Sequence, residues 1–286
     1  MSKITALLRL MRPYQWYKNL VIFIGLFLGG NLLNISQDYS IIIGFAALCL
    51  ISSFNYVVND IVDAKADAGH PEKSKRPLPS KEVAVSEATI LAAFLLVSGI
   101  SVAYFLSPVF AIIALTLAAL TLLYTLKLKK EPFLDVIMIG TNFVLRAVSG
   151  AVIINVEISP WLIICTFFAA LFMAFGKRRA DIGVLGKNAE KHNVVFKVYT
   201  KELLDAMLIA VTTVLVISYS LYTFFKGKVW LIVTIPFALY FLLRYFYLIR
   251  ESSKAARHPH LLYKDCRIVL CALLWCVSFL LIYYFT

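Results

Sequence analysis

Apolar residues along this chain come in long unbroken runs, not at the spacing of a half-buried strand or a narrow helical stripe. A helix needs about 20 predominantly apolar residues to cross a bilayer, and the runs reach that length again and again. They predict nine membrane-spanning helices, at roughly 16–33, 39–59, 86–106, 108–126, 134–154, 160–176, 203–224, 229–248 and 267–285. No low-complexity segment or soluble insert separates them, so residues 1–286 read as one polytopic domain: an all-α membrane protein, its helices bundled around a cavity. The opening "MSKITALLRLMRPYQWYKN" is basic and amphipathic and lacks the small-residue cleavage site of a signal peptide.

The connections between the runs alternate in character. The N-terminus, 60–85, 127–133, 177–202 and 249–266 are basic; 34–38, Ser107–Pro108, 155–159 and 225–228 are short. Of the 28 Lys and Arg, Lys226 and Lys228 lie in the short set and Arg146 and Arg244 within spans; the others lie in the basic set or at its borders. Positive residues mark the cytoplasmic side. The expectation is a multi-pass protein of the cell (plasma) membrane, with its N-terminus and the mouth of its cavity cytoplasmic and its C-terminus outside.

Composition narrows the partners. The chain is 61% hydrophobic and 15% charged, with a formal charge of +12. In so apolar a chain that excess points to topology, anionic headgroups and anionic substrates rather than nucleic acid. A transporter is expected to carry polar residues at the midplane or on both sides, whereas here nearly all the polar chemistry falls on one side. The five cysteines form no CxxC pair and read as small core hydrophobes.

The densest chemistry is "NDIVDAKADAGHPEKSKRPLPS", Asn59 to Ser80. Asp60, Asp63 and Asp67 are spaced by three and four, which stacks them on one helical face, with Asn59 one turn before Asp63. Three carboxylates so close need a cation, and Mg2+ takes one or two carboxylates, waters and substrate phosphate oxygens. Lys73, Lys75 and Arg76 follow in a Gly- and Pro-containing loop that can fold back, supplying cations for phosphate. His70 reads as a structural loop residue. The plainer alternative is a solvated helix end whose acids balance nearby bases.

"NDIVDAKAD" has the NDxxDxxxD form of the UbiA-type intramembrane prenyltransferase superfamily, which the chain resembles over essentially its whole length. The resemblance implies a nine-helix fold in which Asn59, Asp60, Asp63 and Asp67 position Mg2+ and a substrate diphosphate, the aspartates being the catalytic set. It also exposes a departure. The family's second acidic motif, DxxxD, is expected after the sixth span, where this chain reads "FGKRRADIGVLGKN" with one nearby acid, Asp181.

"LMRPYQWYKN" (Leu10–Asn19), "YTLKLKKEPFLDV" (Tyr124–Val136), "FVLRAVSGA" (Phe143–Ala151) and "FGKRRAD" are similar to the decaprenyl-phosphate phosphoribosyltransferase branch. That likeness implies phosphoribosyl diphosphate as donor and a polyprenyl phosphate as acceptor, serving lipid-linked pentose and cell-envelope synthesis. Such substrates carry several phosphates, and Lys18, Lys73, Arg76, Tyr124, Lys127, Arg146, Lys177, Arg178 and Arg179 are the candidates to bind them. Apart from any family, Asp135, Asn142 and Arg146 fall on one stripe of the fifth span. An arginine at that depth faces the bundle interior, either lining a cavity or holding a structural partner.

Three readings follow. The first is the phosphoribosyltransferase. The second is a conventional prenyltransferase with an aromatic or other small acceptor, against which the "KRRAD" loop stands. The third is a non-catalytic lipid-binding or transport protein, which has no need of the aspartates. Each allows a homo-oligomer.

Overall fold

The structure is a computed structural model that describes residues 3–28, 35–69, 73–186, 189–192 and 194–285. Over these it is helical with no strand, as the apolar runs predict. The helices are α1 (Lys3–Met11), α2 (Ile24–Leu28), α3 (Ile35–Asp67), α4 (Val85–Leu106), α5 (Pro108–Leu126), α6 (Leu134–Ile153) and α7 (Pro160–Leu185). After them come α8 (Ala189–His192), α9 (Lys201–Phe225), α10 (Ile235–Arg250), α11 (Lys254–Arg257) and α12 (Cys266–Phe285).

Eight helical segments among the described residues are long and apolar enough to cross a membrane. The first of the nine expected spans instead begins as a 3-10 stretch, Pro13–Phe23, continues as the short α2, and ends outside the described residues. His70 also lies outside them.

The sequence sets the boundaries locally. Ser107 precedes Pro108, and its Oγ accepts from Phe110 N; Ser159 precedes Pro160 and accepts from Trp161 N. Proline loses nothing in a first turn, where its missing N–H would have no helical partner. Thr200 caps α9 by accepting from Leu203 N.

The chain forms two compact units. The first comprises Met1–Lys129 and Leu145–Ile158, the second Lys130–Val144 and Ser159–Thr286, so that α6 contributes to both. In the first unit α3 packs on α4, whose Ala88, Ala92, Gly99 and Ala103 face inward. Small residues let helices approach closely where lipid offers no hydrophobic drive to associate. A Cβ on Gly99 would stand 2.9 Å from Ile51 Cδ1, and one on Gly150 would run into the Ile22 carbonyl oxygen. Leu48, Ile51, Val57, Leu95 and Phe110 fill the rest of this core.

In the second unit α7 packs on α9, and Phe172, Phe175, Tyr199, Leu204 and Tyr245 form the core. Outward faces are apolar, as in Ile90, Phe94 and Phe105 of α4 and Leu270, Leu273 and Leu281 of α12. Such surface belongs against hydrocarbon.

Candidate active site

In the first unit, α3 runs unbroken from its apolar stretch into the acidic motif. Asp60 and Asp67 are 2% and 4% exposed, so each carboxylate requires partners. Asp60 receives Arg12 and, at 3.2 Å, Arg76 Nη1. The same Arg76 nitrogen donates to Asp67 Oδ2 at 2.6 Å, and Lys73 Nζ lies 3.6 Å from Asp67 Oδ1. Asp63 turns to Lys129, whose Nζ is 2.9 Å from both carboxylate oxygens. Asn59 is half-buried beside them.

Arg12 and Lys129 pair with the acidic motif, and sequence reasoning missed both. Their signal lay in stretches already singled out, but nothing in the spacing announced their partners. Arg12 sits where α1 ends, with a left-handed backbone (φ 51°), and its guanidinium lies 5.3 Å from the centre of the Tyr56 ring. A non-glycine residue in that region is uncommon and costs about 1 kcal/mol or more. The turn places Arg12 over Asp60. Beside it opens a cleft of about 400 Å3 lined by Thr5, Leu8 and Arg9 of α1 and by Arg12, Asp60 and Arg76.

Further along α3 is a second polar cluster. Asn19, 1% exposed, accepts at Oδ1 from Arg146 Nε (2.9 Å) and Ser52 Oγ (3.1 Å), and its Nδ2 donates to Cys49 Sγ (3.4 Å). Trp16 Nε1 donates to Ser53 Oγ, which donates to the Met11 carbonyl. Arg146 is thus held inside the unit by an amide. Lys18 and Tyr124 are half-buried in the same unit, and Lys127 is exposed at the end of α5.

The second unit holds the "KRRAD" segment on α7. Lys177 is exposed, whereas Arg178 and Arg179 are 7% and 9% exposed. Arg178 Nε donates to Asp135 Oδ2 at 2.7 Å, and Tyr199 OH donates to Asp135 Oδ1 at 2.7 Å. The Phe133 amide closes this network on Tyr199 OH at 2.7 Å. Burial, followed by donation to Asp135, raises the Tyr199 hydroxyl above the usual phenol range. Arg179 forks onto both oxygens of Asp205, at 2.7 and 3.3 Å, and Asp181 accepts from Arg257 Nε at 2.9 Å.

The stripe expected on α6 therefore divides by partner: Asp135 engages Arg178 and Tyr199, Arg146 engages Asn19, and Asn142 Nδ2 donates to the Met138 carbonyl at 2.8 Å.

Whether these residues suit a divalent cation can be judged from the carboxylates themselves. Among the described residues no three His, Cys, Asp or Glu side chains converge as a metal-ligand set. Two do converge on one positive atom, since Arg76 Nη1 bridges Asp60 and Asp67. Mg2+ commonly uses one or two carboxylates and completes its shell with water and substrate phosphate, so the pair fits and Asp63 is the outlying member.

The described residues thus form an all-helical, multi-pass membrane protein with a cluster of carboxylates and arginines at the end of a membrane-length helix. The UbiA prenyltransferase family model matches residues 19–264, and the chain belongs to that family. Over 231 residues it is 30% identical to the decaprenyl-phosphate phosphoribosyltransferase of Mycolicibacterium smegmatis, covering 79% of this chain and 72% of that one. The enzyme of the same name from Mycobacterium tuberculosis is 27% identical over 247 residues, covering 82% and 81%. The solved structure of a UbiA homolog from Archaeoglobus fulgidus bound to GPP and Mg2+ superposes with a TM-score of 0.73 at 21% identity, covering 97% and 99%. The last likeness establishes the fold; the family makes the chain a membrane transferase.

Proposed function

We propose that this protein transfers 5-phosphoribose from phosphoribosyl diphosphate to a polyprenyl phosphate at the cytoplasmic face of the cell membrane, releasing diphosphate. The observation that carries this reading is the similarity to two mycobacterial decaprenyl-phosphate phosphoribosyltransferases across about four fifths of the chain. The cations at the position of the family's second acidic motif agree with it.

In this reading Asp60 and Asp67, with Asn59 and Asp63 beside them, would hold Mg2+ together with the donor diphosphate. The metal supplies charge neutralisation to the leaving group. Arg12, Lys73 and Arg76 pair with those carboxylates and would take diphosphate oxygens. Lys18, Tyr124, Lys127 and Arg146 are the remaining candidates of the first unit for substrate phosphate, and Lys177, Arg178 and Arg179 those of the second. An ionised oxygen of the lipid phosphate attacks the anomeric carbon. A new C–O bond forms there as the bond to diphosphate breaks, the electron pair leaving with the diphosphate. The nucleophile is already an anion, so no general base is required. A single displacement inverts the anomeric centre.

The test uses membranes containing the protein, labelled phosphoribosyl diphosphate and polyprenyl phosphate, with and without Mg2+. Lipid-linked label that needs Mg2+ and falls at least about 100-fold in Asp60→Ala and Asp67→Ala, with Asp63→Ala also impaired, is the expected result. Consumption of a prenyl diphosphate with an aromatic acceptor, and no lipid-linked ribose, would establish the conventional prenyltransferase reading instead.

A further inference from the structure

One polar group in the first unit is unaccounted for by the roles above. Asn55 is 5% exposed, and among the described residues its Oδ1 has no hydrogen-bond partner. A buried amide oxygen left without a donor is costly, and native proteins rarely keep one without a use. Leucine or valine fills such a position in an apolar helix at no such penalty.

Its place on α3 suggests that use. Asn55, Asn59 and Asp63 follow at intervals of four, so they lie one above another with a drift of about 40° per step. Asn55 is one turn, about 6 Å, from Asn59 and two turns from Asp63, on the side away from the helix end. Asp60 and Asp67 lie about 120–140° round the helix from Asn55, so the shared face is that of Asn59 and Asp63; where the diphosphate reaches these two, the group attached to it meets the next turn inward, beside Asn55. The two candidate donors differ most there. A prenyl chain presents only C–H to an amide oxygen, leaving it as unsatisfied as before. A pentose presents hydroxyl donors, at a distance from its own diphosphate comparable with one helical turn.

We propose that Asn55 is a specificity-determining residue whose Oδ1 accepts a hydrogen bond from a ring hydroxyl of the donor sugar. This rests on the phosphoribosyl-transfer reading and sharpens it, because it names the part of the substrate that a prenyl diphosphate lacks. A site that hydrogen-bonds a substrate hydroxyl rejects the analogue lacking it, since its own buried group is then left unpaired.

The experiment compares phosphoribosyl diphosphate with its 2-deoxy and 3-deoxy analogues, using purified full-length protein with polyprenyl phosphate. Wild type is expected to favour the parent donor over one of the deoxy analogues by about tenfold or more in kcat/KM, carried mainly by KM. Asn55→Leu is expected to raise KM for the parent donor and bring that ratio near one, while remaining at least as heat-stable as wild type. Asn55→Val repeats the measurement with a smaller side chain should leucine overfill the site. A variant that folds and keeps the wild-type ratio overturns the assignment and leaves the transferase reading intact. A changed Mg2+ dependence with an unchanged ratio overturns it too, placing a water rather than the sugar on Asn55. Wild-type protein that ignores phosphoribosyl diphosphate but turns over a prenyl diphosphate removes both readings.

Discussion

Replacing Asp135 with alanine tests how the second unit holds its basic segment. Asp135 is fully buried and accepts from Arg178 and from Tyr199. In Asp135→Ala the Arg178 guanidinium, whose side chain is 9% exposed, keeps its charge and loses the carboxylate that balances it. Removing one member of a buried ion pair costs about 3–5 kcal/mol, because the survivor is stranded out of water. For a chain of this size that corresponds to a fall in melting midpoint on the order of 10 °C. Replacing both partners by apolar residues of similar volume strands no charge, so Asp135→Leu/Arg178→Met is expected to lose far less than the sum of its single variants. The assay is thermal unfolding in detergent micelles at a fixed scan rate, with folded yield after size exclusion as a second readout. An unchanged midpoint in Asp135→Ala, or single-variant losses that simply add in the double variant, would refute the coupling.

Two further outcomes are expected. Gly150→Ala drives its new Cβ into the Ile22 carbonyl oxygen, which is backbone and cannot swing aside; the variant should give a sharply lower folded yield, whereas a normal yield and midpoint would show that the 3-10 stretch can move away. Arg244 donates to Asp265 Oδ2 at 2.8 Å, and that hydrogen bond is the main reason the Asp265 carboxyl titrates below its ordinary range. A depressed carboxyl stabilises the fold above its unfolded pKa, about 3.9, and that contribution is lost as the pH falls through the lower folded value. The midpoint advantage of wild type over Arg244→Gln should therefore be full near neutrality and shrink on acidification below about pH 4; an advantage that grows in acid would reverse the sign of the argument.

The membrane helices were legible because a 20-residue apolar run has few other uses, and hydropathy needs no knowledge of neighbours. The acidic motif was legible because its members lie within two turns of one helix. The counter-charges were not, since Arg12 reaches Asp60 across 48 positions and Lys129 reaches Asp63 across 66. The periodicity of one segment carries no record of which distant loop folds onto it. The first span illustrates a different limit. Its hydropathy is that of a membrane helix, yet Pro13 and the left-handed Arg12 open it as a 3-10 stretch, which seats the Asn19 amide against Cys49, Ser52 and Arg146. Asn55 was passed over because an isolated asparagine in an apolar run gives no signal until its Oδ1 is seen to lack a partner among the described residues.

The "KRRAD" segment shows why formal charge in a run is a poor measure of charge available to a ligand. Read as sequence, Lys177, Arg178 and Arg179 are three cations where acids were expected. In the fold, Arg178 is neutralised by Asp135 and Arg179 by Asp205, each brought from another helix, while Arg257 neutralises Asp181. The guanidiniums are largely buried and the lysine is exposed, so the three differ in what they can offer an incoming phosphate. A buried arginine that leaves its carboxylate for a phosphate strands that carboxylate, and the exchange gains little unless the aspartate finds another partner. Lys177 faces no comparable desolvation. The basic run therefore offers an incoming phosphate less charge than its composition suggests. A buried aspartate left behind by its arginine would cost more than the phosphate contact returns, so Lys177 is the member of the run that can meet an anion at least expense.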